Sequence, residues 1–448
     1  MNVPSAELVA RYRTRAPRYT SYPAAPHFGA LSVEELDAGL ARAGGPLSVY
    51  VHIPFCLQLC HYCGCHVEIH HNKDIGEGYV DTLLDEAQLW QARTPARGSA
   101  QLALGGGTPT FLRPDQMQRL IEGLQHIFPW TADIDASIEI DPRSVDDAYL
   151  RTLVKLGFNR FSFGVQDLDP EVLAAVNRPQ TDAMVSRCTE VLRAAAPASN
   201  LNFDLMYGLP HQDEASFGRT LERVVALRPT RIALFHYAHV PWLKPAQKLV
   251  ERQGLPPSEL KARLFELATQ RLGAAGYAII GMDHFAIPGD ELLEAQQRGD
   301  LQRNFMGYTT RASLDQIGLG VSSIGSFSGV YAQNVKDRQA WTELVETGRL
   351  PVERGKVLSQ EDAARKKVIM QLFCNFSATL DAAATIHFAS ELRRLQPMAA
   401  DGLLVITPQA GTTLQVTPLG RHFIRNVCAV FDQYLEEDQG TRRYSMTA

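Results

Sequence analysis

At 448 residues, 45% hydrophobic and 21% charged, the chain can bury a large core and divides into two or three units around one main domain. Its net charge of -5 excludes the basic excess that a nucleic-acid binder brings to phosphates. No apolar run approaches a bilayer span, and Met1 to Ala16 has no apolar core of signal length, so a cytoplasmic protein with no membrane span is expected.

In chain order, residues 1–46 are polar and Pro-rich and read as an extended lead-in, with Arg11, Arg13, Arg15 and Arg18 ahead of Tyr19-Thr20-Ser21-Tyr22-Pro23. Seven short apolar or alternating runs follow: Leu47 to Ile53, Ala100 to Leu104, Ala136 to Ile140, Arg160 to Val165, Leu201 to Met206, Arg231 to Tyr237 and Ala278 to Met282. Helical patterns separate them. Strand and helix alternating at this spacing predict parallel βα units, hence an α/β open sheet or barrel. Polar and glycine residues gather just after the runs, at the strand ends where βα barrels place active sites.

After the first run comes Cys56-Leu57-Gln58-Leu59-Cys60-His61-Tyr62-Cys63. Cys56, Cys60 and Cys63, spaced C-x3-C-x2-C, offer a [4Fe-4S] cube one thiolate fewer than it has irons. An iron left open can take the amino and carboxylate groups of S-adenosylmethionine, whose sulfonium an electron then cleaves to a 5'-deoxyadenosyl radical. A zinc knuckle fits less well, because no second C-x2-C pair closes four ligands. An odd count of seven cysteines in a chain without secretory context argues against disulfides. Cys65 stands too close to Cys63 to be an unstrained fourth ligand and is a candidate functional thiol. Cys188, Cys374 and Cys428 lie in apolar helical surroundings and read as packing residues.

Gly105-Gly106-Gly107-Thr108-Pro109 ends the second run. It lacks the third glycine of a dinucleotide loop, but lets a ligand's polar end approach the backbone; a tight structural turn is the other reading. Glu139 and Asp141 close the third run, Gln166 the fourth, and Asp204 the fifth. Singly, Glu139 is equally a solvated carboxylate, and Gln166, Arg178 and Asp204 are equally helix caps or surface ion pairs. Beyond residue 360 the pattern is helical, then Gly402 to Thr407 and Thr412 to Thr417 read as strands around a turn, with an amphipathic helix from Leu419 to Leu435. This resembles a winged-helix unit, and without a basic excess its role is packing or a lid.

Together, Tyr50-Val51-His52-Ile53-Pro54-Phe55-Cys56, Gly105 to Thr110, Gly157-Phe158-Asn159-Arg160, Gly164-Val165-Gln166-Asp167, Asp204 to Pro210, Gly281 to Ala286 and Tyr331-Ala332-Gln333-Asn334 resemble the oxygen-independent coproporphyrinogen III oxidases, a radical S-adenosylmethionine family of haem biosynthesis. The resemblance covers nearly the whole length. It implies an α/β fold: a partial (β/α)6 TIM-like barrel over 47–345, an N-terminal extension over 1–46 and a mainly helical, winged-helix-like domain over 346–448. It further implies two S-adenosylmethionines. Tyr50, Gly106, Glu139 and Ile324 would hold the cluster-bound one. Tyr62, Gly107, Thr108, Gln166, Arg178, Asp204 and Ala238 would line the second site, Tyr62 standing where a phenylalanine is expected.

The implied reaction turns two propionates of coproporphyrinogen III into vinyl groups, giving protoporphyrinogen IX. An electron donor such as a flavodoxin or ferredoxin, a monomeric state and cytoplasmic location go with it. The tetra-anionic substrate needs cations, which Arg11, Arg13, Arg15 and Arg18 would supply as a flap. The rival readings are a haem-carrying chaperone, whose members generally lack a cysteine at the Cys65 position and are shorter at the C-terminus, and a haem-degrading radical methyltransferase.

Overall fold

The computed structural model describes residues 4–95, 97–437 and 444–447. Two compact units emerge, one of Phe28–Leu205 and Ser313–Leu358, the other of Met1–His27, Met206–Ala312 and Ser359–Ala448. Strands β1 (Leu47–Ile53), β2 (Ser99–Gly106), β3 (Trp130–Ile140), β4 (Arg160–Gln166), β5 (Asn200–Tyr207) and β6 (Arg231–His236) are each followed by at least one helix, the partial (β/α)6 TIM-like arrangement of the α/β class. Two further strands, β7 (Ala278–Ile280) and β8 (His284–Ala286), follow.

In the first unit β1 to β5 pair in parallel, with Ile53 opposite Gly106 and Glu139 opposite Ser162. Six of the seven residues of β1 are buried, as expected for a parallel strand covered on both faces. On its other side β1 pairs in parallel with β9 (Asp315–Leu319), and β10 (Ile324–Phe327), β11 (Val330–Asn334) and β12 (Val352–Val357) continue antiparallel. The sequence reading had no strands here, because these runs are short and carry glycine and polar residues in buried positions.

A buried carboxylate fastens this edge. Glu86, on the helix Ile75–Arg93, accepts from Gly320 N at 2.8 Å, Asn334 Nδ2 at 2.7 Å and Trp341 Nε1 at 2.9 Å. Burial outweighs these bonds and raises its pKa from 4.5 to about 7. The folded state therefore holds a proton there that the unfolded chain has released, so stability is full below about pH 4.5 and falls as pH rises through about 7. The shift is on the order of 3 kcal/mol. Glu86→Gln should flatten the fall in apparent Tm across this window; an unchanged slope would show that Glu86 does not cause it.

In the second unit β8 pairs antiparallel with both β6 and β7. The seventh run is thus no parallel βα strand: it is half of a tight hairpin whose return, His284–Ala286, was too short to register. The extended lead-in also needs correction. Ser5 caps a helix at Ala6–Arg11, and in the first unit Ser32 and Glu35 form a capping box on the helix Val33–Arg42. Arg11 is bound to Asp401 at 2.6 Å, and Arg15 donates to Tyr444 O at 2.7 Å and lies over the Trp242 ring. They do not form a free flap.

The winged unit has three strands, β13 (Ser377–Asp381), β14 (Leu404–Pro408) and β15 (Gly411–Val416), with β15 central. The helix expected from Leu419 to Leu435 is broken into a turn at Gly420–Phe423, a helix at Ile424–Ala429 and a short one at Tyr434–Glu437. Phe431 N and Asp432 N turn back to Cys428 O and Ala429 O, and the Asp432 side chain accepts from Tyr434 N at 3.0 Å, which restarts the chain. Cys374 and Cys428 are fully buried in this unit's core with Phe373 and Phe431.

Candidate active site

The loop after β1 is held on both flanks. Glu68 N and His70 N donate to Pro54 O and Cys56 O at 2.7 and 3.0 Å. Farther along, His61 N donates to Val176 O at 3.0 Å, Asn177 Nδ2 donates to Leu59 O at 2.8 Å, and Gln58 Nε2 donates to Asn177 Oδ1 at 2.6 Å. The backbone of Asn177 is left-handed, with φ of 56°. A side chain that bonds locally makes that conformation accessible.

The three glycines are each demanded by a neighbour. A Cβ at Gly105 would stand 3.0 Å from Glu139 Oε1, one at Gly106 (φ +112°) 2.6 Å from the His52 ring, and one at Gly107 2.7 Å from Pro54 O. Gly106 N donates to Glu139 Oε2 at 3.3 Å, while Gly107 N and Thr108 N donate to Ile53 O and Phe55 O. The run is thus welded to the cysteine loop, and Thr108 Oγ1 lies 3.3 Å from Cys56 Sγ. His52 Nε2 faces His66 O at 3.1 Å, so it is the donor there and Nδ1 accepts from Tyr50 Oη at 3.2 Å. Burial drops the imidazole pKa to about 4, which keeps it neutral.

Two guanidiniums face one thiol. Cys60 Sγ is 3.5 Å from Arg178 Nη1 and 3.7 Å from Arg143 Nη2. Asp141 bridges them, accepting from Arg143 Nη2 at 2.6 Å and lying 3.5 Å from Arg178 Nη1. Burial pushes the Asp141 carboxyl up, but Arg178 and Arg143 more than offset it and hold it below the usual range. Arg178 is 5% exposed and also donates to Gly164 O and to Gln180 Oε1. Among the described residues its Nε finds no hydrogen-bond partner. Gln166 sits at the end of β4 with φ of 66°, a strained conformation for a non-glycine residue.

Asp204, on β5, accepts from Ser162 Oγ at 3.1 Å and Asn202 Nδ2 at 2.8 Å. Glu139 is raised to about 8, first by burial and then by the charge of Asp204. Tyr50 and Tyr62 have phenols raised well above their usual range by burial. Ile324 begins β10, and its backbone stands 2.8 Å from where a Cβ of Gly318 would lie. Cys65 is exposed. Ala238 follows β6 and belongs to the other compact unit.

The donor set suits an iron-sulfur cluster. A cluster takes its thiolates at separate corners, and guanidiniums at a ligand sulfur stabilise its negative charge. Burial raises the Cys56 thiol to about 11, and the neighbouring Cys63 and Cys60 add to it, so thiolates here need cationic iron to persist. The sequence reading had named Asp141 but not Arg143 two residues on, and Asn177 went unremarked beside Arg178. The signal for both was adjacency to a residue already singled out.

This parallel barrel with a three-cysteine loop at a strand end defines a radical SAM protein, and the Radical SAM superfamily pattern matches residues 50–224. That family uses a [4Fe-4S] cluster and S-adenosylmethionine. An oxygen-independent coproporphyrinogen III oxidase of Synechocystis is 41% identical over 98% of this chain and 97% of that protein. Its Escherichia coli counterpart is 39% identical over 98% and 97%. The solved E. coli structure, described as a coproporphyrinogen III oxidase (HemN) that is a radical SAM enzyme, superposes with a TM-score of 0.90 at 38% identity, covering 97% of this chain and all of that one. The chain belongs to the oxygen-independent coproporphyrinogen III oxidases. These relatives lend no support to the chaperone or methyltransferase readings. Among the described residues no helix is long and apolar enough to cross a membrane.

Proposed function

We propose that this chain oxidatively decarboxylates the propionates of two rings of coproporphyrinogen III to vinyl groups without oxygen, each ring losing a β-hydrogen atom, CO2 and one electron that an external one-electron acceptor takes up, yielding protoporphyrinogen IX. When bound, a [4Fe-4S] cluster and S-adenosylmethionine supply the radical that takes a β-hydrogen from each propionate. Cys56, Cys60 and Cys63 hold the cluster, and Arg143 and Arg178 stabilise charge at Cys60. Tyr50, Gly106, Glu139 and Ile324 would receive the first S-adenosylmethionine, whose N–H and O–H donors would give the Glu139 carboxyl reason to ionise despite burial. Tyr62, Gly107, Thr108, Gln166, Arg178, Asp204 and Ala238 receive a second. Cys65 acts as a catalytic thiol. Residues 47–345 form the catalytic barrel, with 1–46 and 346–448 as its flanking parts, in a cytoplasmic monomer served by a flavodoxin or ferredoxin.

The observation that carries this reading is 41% identity over nearly the full length to an oxidase of this name, together with a glycine cradle locked to the cysteine loop. Its test is anaerobic incubation of the reconstituted protein with coproporphyrinogen III, S-adenosylmethionine and dithionite. Protoporphyrinogen IX is the expected product; a methylated or unchanged tetrapyrrole would overturn the assignment. Equilibrium binding should further approach two S-adenosylmethionines per chain and fall toward one in Asp204→Ala, a residue that touches Ser162 and Asn202. One ligand in the unaltered protein would remove the second site.

A further inference from the structure

Within the second unit, cations outnumber the acids that could neutralise them. Arg18 Nη2 donates to His236 O at 2.7 Å, and its Nη1 is 3.6 Å from Asp283. Asp283 binds His284 Nδ1 at 2.7 Å through Oδ1, and its Oδ2 is the oxygen that faces Arg18. Lys261, on the helix Ser258–Ala274, is half-buried and has neither an acceptor nor an acidic partner among the described residues. Its stem packs with His236 over Gly208: a Cβ there (φ +86°) would stand 3.5 Å from Lys261 Cε and 3.4 Å from His236 Cδ2.

The His236 ring lies against Tyr207, with centroids 5.2 Å apart, and its buried Nε2 has no hydrogen-bond partner among the described residues. Arg18 Nε is likewise buried and unpartnered. Burial, and after it the charge of Arg13, pulls Lys261 below its usual range; Arg13 is exposed. Arg425 is not part of this excess, since its guanidinium is spent on the carbonyls of Ala16, Pro17, Ser445 and Met446.

An unpaired ammonium such as that of Lys261, held in partial burial beside two unsatisfied N–H groups, is costly unless an anion completes it. We propose that Lys261, Arg18 and His236 form a carboxylate-binding site that takes a propionate of the tetrapyrrole. This rests on the substrate class proposed above. The Lys261 ammonium and the Arg18 Nε–H donate to the carboxylate, and a neutral His236 protonated at Nε2 adds a third donor. Of the four N-terminal arginines, Arg11 and Arg15 are engaged elsewhere in the chain, and Arg18, held at its Nη atoms by His236 O and Asp283, keeps its Nε–H for the substrate.

The test compares Lys261→Gln, Lys261→Arg and the unaltered holoenzyme in anaerobic turnover of coproporphyrinogen III, with S-adenosylmethionine binding measured alongside. Gln keeps helix propensity close to that of Lys, so the variant should fold. Lys261→Gln should raise KM for coproporphyrinogen III about tenfold, more than it lowers kcat, and weaken the rise of KM with salt, while Lys261→Arg restores most of the loss. An unchanged KM in an enzyme that still makes vinyl product overturns the site and leaves the function standing. Loss of S-adenosylmethionine binding with substrate KM unchanged would assign the carboxylate to that cofactor and overturn the propionate site. Absence of vinyl product from the unaltered enzyme would remove the function, and this site with it.

Discussion

Cys56→Ser, Cys60→Ser and Cys63→Ser should each lose the cluster and all reductive cleavage of S-adenosylmethionine. The reason is local. The loop from Pro54 to Cys63 is pinned by Glu68, His70, Val176 and Asn177, so no other thiol can be swung in to replace one that is lost. Cys188, Cys374 and Cys428 are buried elsewhere, and Cys65 is exposed only two residues beyond Cys63. A serine oxygen is a harder and far less acidic ligand than a thiolate. Iron and sulfide assays after anaerobic reconstitution decide the matter, and full occupancy in any of the three variants would refute the assignment. Cys65→Ser should keep iron and lose turnover.

A second large effect is expected at a glycine. In Gly107→Ala the new Cβ would stand 2.7 Å from Pro54 O, 2.8 Å from its carbonyl carbon and 2.9 Å from Phe55 O. These are backbone atoms of the cysteine loop, so no rotamer change relieves them. The strands or the loop must shift, at about 1–3 kcal/mol for overpacking of this kind. Because Gly107 N also donates to Ile53 O, that shift is passed to the segment bearing Cys56. Gly107→Ala should therefore lower apparent Tm by several degrees and cut iron uptake on reconstitution. Gly64→Ala, in the same loop with nothing within 4 Å of its Cβ position, should do neither. Equal behaviour of the two variants would show that the close approach at Gly107 does not matter.

The barrel was legible because its parallel strands are buried on both faces and so read as apolar runs: Leu47 to Ile53 coincides with β1, and Arg160 to Val165 falls one residue short of β4. Elements whose stability comes from partners distant in sequence were not. The strand Asp315–Leu319 owes its place to pairing with β1, and its edge to Glu86, which lies more than two hundred residues earlier. The capping box of Ser32 and Glu35 was visible in principle, but the surrounding prolines and arginines masked it. At the site, the cysteine spacing announced itself, whereas Arg143 and Asn177 are ordinary polar residues until the fold brings them to Cys60 and Leu59.

The central claim is that a hydrogen atom leaves the β-carbon of a propionate for the nucleoside of S-adenosylmethionine. Coproporphyrinogen III deuterated at the propionate β-positions, incubated anaerobically with reconstituted protein and dithionite, tests it directly by mass spectrometry of the 5'-deoxyadenosine formed. The account predicts deuterium in the 5'-deoxyadenosine and one labelled nucleoside for each vinyl group made. Vinyl product accompanied by unlabelled 5'-deoxyadenosine would contradict it.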